Sequence, residues 1–218
     1  MGSVYWQFND CWPVASWSSV DSLGRYKALH YAAKKFYSPV AMGLFLEKGT
    51  LTVNVANETM KDFKGSIKVY FSDTSFNISK KFEKEIVVSA LSSSDVLSVM
   101  TEYKNKYGEY MYAELYDENG ELIMSQTELY VPPKFFEWKK PNIKYSMMDA
   151  EGGAVMELTS DTLAKGVYVD FDCCDPVMSS NFFDITSDKP VRINIKTEKT
   201  AKELLSDVRI KTVYDIGR

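Results

Sequence analysis

Between residues 40 and 131 the chain switches between apolar and polar side chains at nearly every second position, and turn residues cut it into short runs. Leu51, Val53 and Val55 alternate with Thr52 and Asn54, and Ile67, Val69 and Phe71 alternate with Lys68 and Tyr70. A period of two belongs to extended strands with one face turned inward. Residues 40–46, 51–56, 66–71, 81–88, 110–116 and 122–131 are therefore predicted strands. Asp117-Glu118-Asn119-Gly120 is the strongest hairpin signal, because Asn-Gly supplies the positive φ angles a tight turn needs. About six or seven strands over this stretch suit an immunoglobulin-like β-sandwich.

Val131-Pro132-Pro133-Lys134, followed by Lys139-Lys140-Pro141, cannot lie in a central strand and predicts a domain boundary. Beyond it, residues 143–147, 154–158, 167–171, 191–195 and 208–213 again read as short strands, so a second, smaller sandwich is expected. Aromatic residues make up 14% of the chain, with 14 Tyr and 12 Phe, which leans toward β-structure.

The first 38 residues have a different texture. Residues 2–9 are rich in aromatic and β-branched residues and predict a short buried strand that runs into a loop at Asn9-Asp10-Cys11-Trp12-Pro13. From Ser22 to Tyr37 the period becomes helical: Tyr26, Leu29, Ala33 and Phe36 recur at spacings of three and four, with Asp21 or Ser22 available as cap and Pro39 as stop. One strand and one helix cannot bury both faces of the strand. This piece is expected to belong to something larger, and left alone to fray or to mediate self-association through residues 1–38. The fold class is thus mainly β: residues 1–38 as a strand-loop-helix piece, 39–134 as one sandwich and 135–218 as a second.

The formal charge of -4 comes from 30 acids and 26 bases spread along the chain, leaving no basic stripe for a phosphate backbone. Nucleic acid is not an expected partner. No run reaches the roughly 18 apolar residues of a membrane span, and the N-terminus has no leader-like pattern. Three cysteines without metal-ligand spacing fit a reducing compartment, and a cytoplasmic location is expected unless a longer N-terminus carries a signal, in which case the compartment is lysosomal or the protein secreted.

Few residues suggest chemistry. His30 is the only histidine and lies mid-helix, where packing or surface exposure is its expected role. Asp170, Asp172, Asp175 and Asp184 match no calcium loop, and alternate acidic residues on strands often face solvent. Adjacent Cys173 and Cys174 read as small buried residues, and Met147, Met148 and Met156 as an adaptable core or domain interface. Asn57-Glu58-Thr59 and Asn77-Ile78-Ser79 match the glycosylation triplet, which matters only in a secreted chain. No Gly-rich phosphate loop occurs, and neither a metal nor a cofactor is expected.

The stretch from Gly2 to Ser18, GSVYWQFNDCWPVASWS, resembles the segment at the end of the catalytic barrel in family 2 β-mannosidases. Asp21 to Tyr31 and Lys35 to Val40 are similar to that family's last barrel helix and its exit. Farther on, Val167 to Asp172 and the run Ser180-Asn181-Phe182-Phe183-Asp184-Ile185 resemble its C-terminal immunoglobulin-like domain, with an Asn-aromatic-Phe-Asp signature.

The resemblance implies a parent that removes terminal β-linked mannose from oligosaccharides with retention of configuration, residues 1–38 being the last strand and helix of a (β/α)8 barrel. Retaining glycosidases need two carboxyl groups about 5 Å apart, and in this family both are glutamates on earlier barrel strands. The first glutamate here is Glu47, within the predicted sandwich, so no catalytic residue is expected in the chain. Trp6 would line the mannose subsite, its flat ring suited to the C–H face of a pyranose, with Asn9 and Asp10 as polar partners. Asn9 and Asp10 equally suit fixing the loop through backbone amides. Trp12, with Trp17, either shapes the pocket rim or buries the barrel end.

The rival reading is a non-catalytic module whose sandwiches bind carbohydrate or a partner protein. Tyr110, Tyr112 and Tyr116 share one strand face, as a sugar platform would need, although the same alternation describes ordinary sheet packing. A purely architectural role is a third reading.

Overall fold

The computed structural model describes residues 3–216. Met1, Gly2, Gly217 and Arg218 lie outside the described residues, and with them the first position of the expected N-terminal strand. In chain order the elements are α1 (Ala28–Phe36), β1 (Val40–Glu47), β2 (Thr50–Asn57), β3 (Phe63–Asp73), β4 (Ile78–Val88), β5 (Ser92–Met100), β6 (Glu109–Asp117) and β7 (Leu122–Leu129). After a single 3-10 turn at Pro133–Phe135 come β8 (Lys144–Ala150), β9 (Gly153–Thr159), β10 (Ala164–Phe171), β11 (Val177–Met178), β12 (Phe183–Ile185), β13 (Val191–Lys196), α2 (Ala201–Leu205), β14 (Val208–Lys211) and α3 (Val213–Ile216).

β1-β2-β5 and β4-β3-β6-β7 form two antiparallel sheets. The inward residues of their alternating strands, including Leu51, Val53, Val55, Ile67, Val69, Phe71, Met111 and Leu115, make one core. Each fully buried aliphatic side chain of this kind contributes about 1.5–3 kcal/mol relative to exposure, which makes this face pattern the dominant local constraint. β11-β13-β9-β8 and β12-β10-β14 form a second pair of sheets. They enclose Met156, Leu158, Val167, Val169, Ile185, Ile193 and Ile195, and α2 adds Leu204.

β5 was not expected, because its sequence SSSDVLSVM offers only Val96 as a buried apolar residue. It is an edge strand, held to β2 by backbone pairing and by Asn54 Nδ2 donating to Asp95 Oδ1 at 2.7 Å. Its polar outer face suits an edge that must not pair with another chain. Glycine is required at Gly65, where β3 crosses β6: an added Cβ would lie 2.1 Å from the Tyr116 carbonyl oxygen. The predicted hairpin forms, but only Gly120 takes a positive φ, of 80°. Asp117 Oδ1 accepts the Asn119 and Glu121 amides, so the turn is wider than a two-residue Asn-Gly turn.

The two sandwiches meet through tyrosines. Tyr70 stacks on Tyr112 at 4.5 Å, Tyr110 lies 6.0 Å from Tyr112, and this group packs with Leu129, Phe136 and Leu163. Tyr110 Oη donates to the Thr186 carbonyl at 2.8 Å, the Leu163 amide donates to the Thr74 carbonyl at 3.2 Å, and Thr162 Oγ1 donates to the same carbonyl. Burial pushes the Tyr110 and Tyr112 hydroxyls well above their usual range. Tyr110 and Tyr112 therefore hold a domain junction, while Tyr116, farther along the strand, is half-buried and donates its hydroxyl to Glu114 Oε2 at 2.6 Å.

The N-terminal piece departs most from its sequence. No strand forms among residues 3–9, and a single parallel bridge joins Asn9 to Val20. A strand is stable only beside others, and residues 3–9 have no neighbouring strand to pair with along their length. The Trp6–Gln7 peptide is cis. The helix begins at Ala28, several residues later than its periodicity suggests, and neither Asp21 nor Ser22 caps it. Asp21 Oδ1 instead accepts the amides of Leu23 and Arg25, and Gly24 turns the chain at φ 84°, so Val20 can bridge to Tyr26.

Candidate functional site

Loop 9–27 is organised around one carboxylate. Asp10 is 5% exposed, and its oxygens accept from Ser16 Oγ at 2.6 Å, Ser18 Oγ at 2.7 Å and Lys27 Nζ at 2.8 Å. Lys27 Nζ also donates to Ser18 Oγ at 2.7 Å. The hydrogen bond from Lys27, then those from the two serines, hold the Asp10 carboxyl down at about 2. A buried charge is tolerable only when paired and hydrogen-bonded in this way. Asp10, which the sequence offered both as a sugar partner and as a loop anchor, has both carboxylate oxygens engaged within the loop. It does fix the loop, through side-chain donors instead of backbone amides.

Lys27, Ser16 and Ser18 are the residues that sequence reasoning missed as a functional group. They meet Asp10 from 17, 6 and 8 positions away, and no regular spacing announces such a cluster.

Asn9 is exposed, with its Nδ2 3.4 Å from the Asp10 carbonyl oxygen. Trp6 is 75% exposed and Trp12 65%, and neither indole stacks on another ring among the described residues. Trp17, Phe8 and Val4 are also exposed. The residues predicted to contact a sugar thus share one segment, with Trp6, Asn9 and Trp12 facing outward and Asp10 inward.

The segment is anchored to the second sandwich by the signature Asn181-Phe182-Phe183-Asp184. Asn181 is buried; its Oδ1 accepts the Val169 amide and its Nδ2 donates to the Val169 carbonyl, each at 2.9 Å. This side-chain clamp stands in for a backbone neighbour of β10 and lets Phe182 leave the sheet at φ 55°. Phe182 then stacks on Tyr168 at 4.8 Å and reaches the buried Tyr31 of α1 at 6.0 Å. Lys34 Nζ donates to the Ser179 carbonyl at 2.7 Å.

The other candidate groups are engaged. Asp170 and Asp172 pair with Arg209, Asp175 with Arg25, and Asp184 with Lys165. His30 stacks on Tyr26 at 4.0 Å. Cys11 and Cys173 are exposed and Cys174 is half-buried, unlike the small buried pair expected at 173 and 174. The Asp207 carboxylate and the Cys174 thiol beside Cys173 push its thiol up to about 11, which leaves it a poor nucleophile at neutral pH. Asn57 is fully buried, and its Nδ2 donates to the carbonyls of Lys61, Val88 and Ser89, so it cannot accept a glycan in the folded chain. No group of three or more His, Cys, Asp or Glu among the described residues is arranged to hold a metal ion. No helix among them is long and apolar enough to cross a membrane.

Residues 49–134 match the family described as Mannosidase Ig/CBM-like domain, and residues 138–216 match the Ig-fold domain of mannosidases. The β-mannosidase of Rattus norvegicus is 36% identical over 69 residues, 32% of this chain and 8% of that protein. β-Mannosidase A of Aspergillus terreus is 35% identical over 77 residues, 34% of this chain and 8% of that protein. The crystal structure of β-D-mannosidase from Dictyoglomus thermophilum superposes on 95% of this chain with a TM-score of 0.86 and 28% identity, using 25% of its own length. An exo-chitosanase of Amycolatopsis orientalis shares the fold, with a TM-score of 0.69 at 15% identity. The chain thus spans a small part of each relative.

Proposed function

On the premise that the chain belongs with the family 2 β-mannosidases and corresponds to their C-terminal part, we propose that it serves a retaining glycosidase that releases terminal β-D-mannose. Its own share of that task is non-catalytic: it carries two accessory sandwiches and one edge of the substrate pocket. The observation that carries this reading is the pairing of self-contained sandwiches with an N-terminal segment whose Trp6, Trp12 and Trp17 are exposed. Exposed aromatic clusters of this kind mark surfaces that other structure covers. The cover here is the catalytic barrel of a longer polypeptide.

Within that assembly Trp6 packs against the C–H face of the mannose ring, Asn9 offers hydrogen bonds to its hydroxyls, and Trp12 shapes the rim. Asp10 positions the loop that carries them. Without the barrel, residues 1–38 direct self-association of the isolated chain. The free thiols support a reducing compartment, which favours the cytoplasm.

The test is to incubate the purified chain with a chromogenic β-D-mannopyranoside, and to repeat the assay with the longest open reading frame that contains it. The chain alone gives no release and the longer protein does; replacing Trp6 by Ala in the longer protein raises KM more than it lowers kcat. Turnover by the isolated chain would overturn the proposal.

A further inference from the structure

A cleft lies where β1 and β7 of the first sandwich face the end of α1 and the Lys165-Gly166 turn of the second; Tyr5 of the N-terminal segment packs edge-on against Phe36 in its wall at 6.5 Å. Its volume is about 590 Å³, within the roughly 300–1,000 Å³ usual for small-molecule sites. β1 and β7 are closed on each other at its floor, where the Met42 amide donates to Met124 Sδ at 3.4 Å.

Its walls carry aromatic faces and polar groups together. Phe45 is 58% exposed and Phe36 50%. The Phe45 ring lies back over Gly43, where an added Cβ would stand 3.1 Å from its Cε2 and Cζ atoms, so the bare glycine leaves room for the ring there. Lys165 Nζ donates to Asp184 Oδ2 at 2.9 Å, and the Gly166 amide donates to Asp184 Oδ1 at 2.8 Å. An ammonium has three N–H bonds and a carboxylate about four acceptor sites, so both partners keep capacity for a ligand. The Gln126 side chain, also lining the cleft, makes no hydrogen bond among the described residues. Thr127 beside it is 9% exposed, and its Oγ1 has no partner, an uncommon state for a buried hydroxyl.

We propose that this cleft is a non-catalytic carbohydrate site that takes the end of a hexose oligosaccharide. Phe45 stacks on the apolar face of a sugar ring. The Gln126 amide and the Lys165–Asp184 pair receive neighbouring hydroxyls, which act as donor and acceptor at once. The Lys165–Asp184 pair is neutral overall, and the Lys35 ammonium, which also lines the cleft, adds a donor for a sugar hydroxyl. This site shares no residue with the Trp6 subsite, and the choice of a mannoside as ligand rests on the proposed function.

Titration of the whole chain with β-mannotriose, followed by calorimetry and saturation-transfer NMR, tests it. The expected result is saturable binding with Kd on the order of millimolar. Phe45→Ala and Gln126→Ala should each weaken it about tenfold or more; both side chains are solvent-accessible, so circular dichroism and Tm stay near those of the parent chain. Tyr145→Ala, an exposed aromatic outside the cleft, leaves the affinity unchanged. Absence of saturable binding, binding that survives Phe45→Ala and Gln126→Ala, or binding abolished by Tyr145→Ala each overturns the proposal.

Discussion

Trp6, Trp12 and Trp17 stand in solvent, whereas Tyr70, Tyr110 and Tyr112 are buried where the sandwiches meet. Both groups are large aromatics at high local density. The tyrosines lie on strands paired along both edges and find a second domain against their faces. The tryptophans sit on or just before a loop that one carboxylate ties together, and among the described residues nothing covers them. Burial, not composition, separates a core from an exposed surface.

The contrast can be broken most sharply at Tyr110. Tyr110→Ala removes a fully buried ring and its hydrogen bond to Thr186 and should cost about 3–5 kcal/mol in urea unfolding; a cost near zero would mean that the junction is not a core. Next comes the clamp. Asn181→Ala strands the amide and carbonyl of Val169 and should cost about 2–4 kcal/mol, while increasing proteolysis around Phe182 and α1.

The N-terminal loop should respond to pH instead. Asp10 is depressed from 3.8 to about 2, so its contribution is complete above about pH 4 and is lost as pH falls through about 2. Tryptophan fluorescence of the loop should shift across that window, and Asp10→Asn should remove the shift. The smallest effect belongs to Trp12→Ala, expected to change stability by no more than about 0.5 kcal/mol while reducing self-association in sedimentation velocity.

The β-architecture was legible because strand period and burial report the same physical fact, as at Leu51, Val53 and Val55. β5 was hidden because an edge strand needs little apolar residue content, and Ser92 to Ser94 look like a loop. The short strands β11 and β12 were missed because two or three residues carry no period. Residues 3–9 read as a strand because their composition suits one, yet strand formation needs partners that composition does not supply. The helix was legible in its period, but of the expected face only Ala33 is buried, with Tyr31 beside it, while Tyr26 and Phe36 are exposed; its start was not legible, since Asp21 was spent on a turn. At the site, the aromatic candidates were visible as residue types; the Asp10–Lys27–serine cluster was not, because only tertiary folding brings those positions together.

Hydrogen exchange of the 218-residue chain tests the central claim most directly, that the sandwiches are complete while the N-terminal segment is built for a cover. The account predicts that amides in β2, β3, β6 and β10 exchange orders of magnitude more slowly than those of residues 3–26. Protection in residues 3–26 equal to that of the sandwich strands would contradict it.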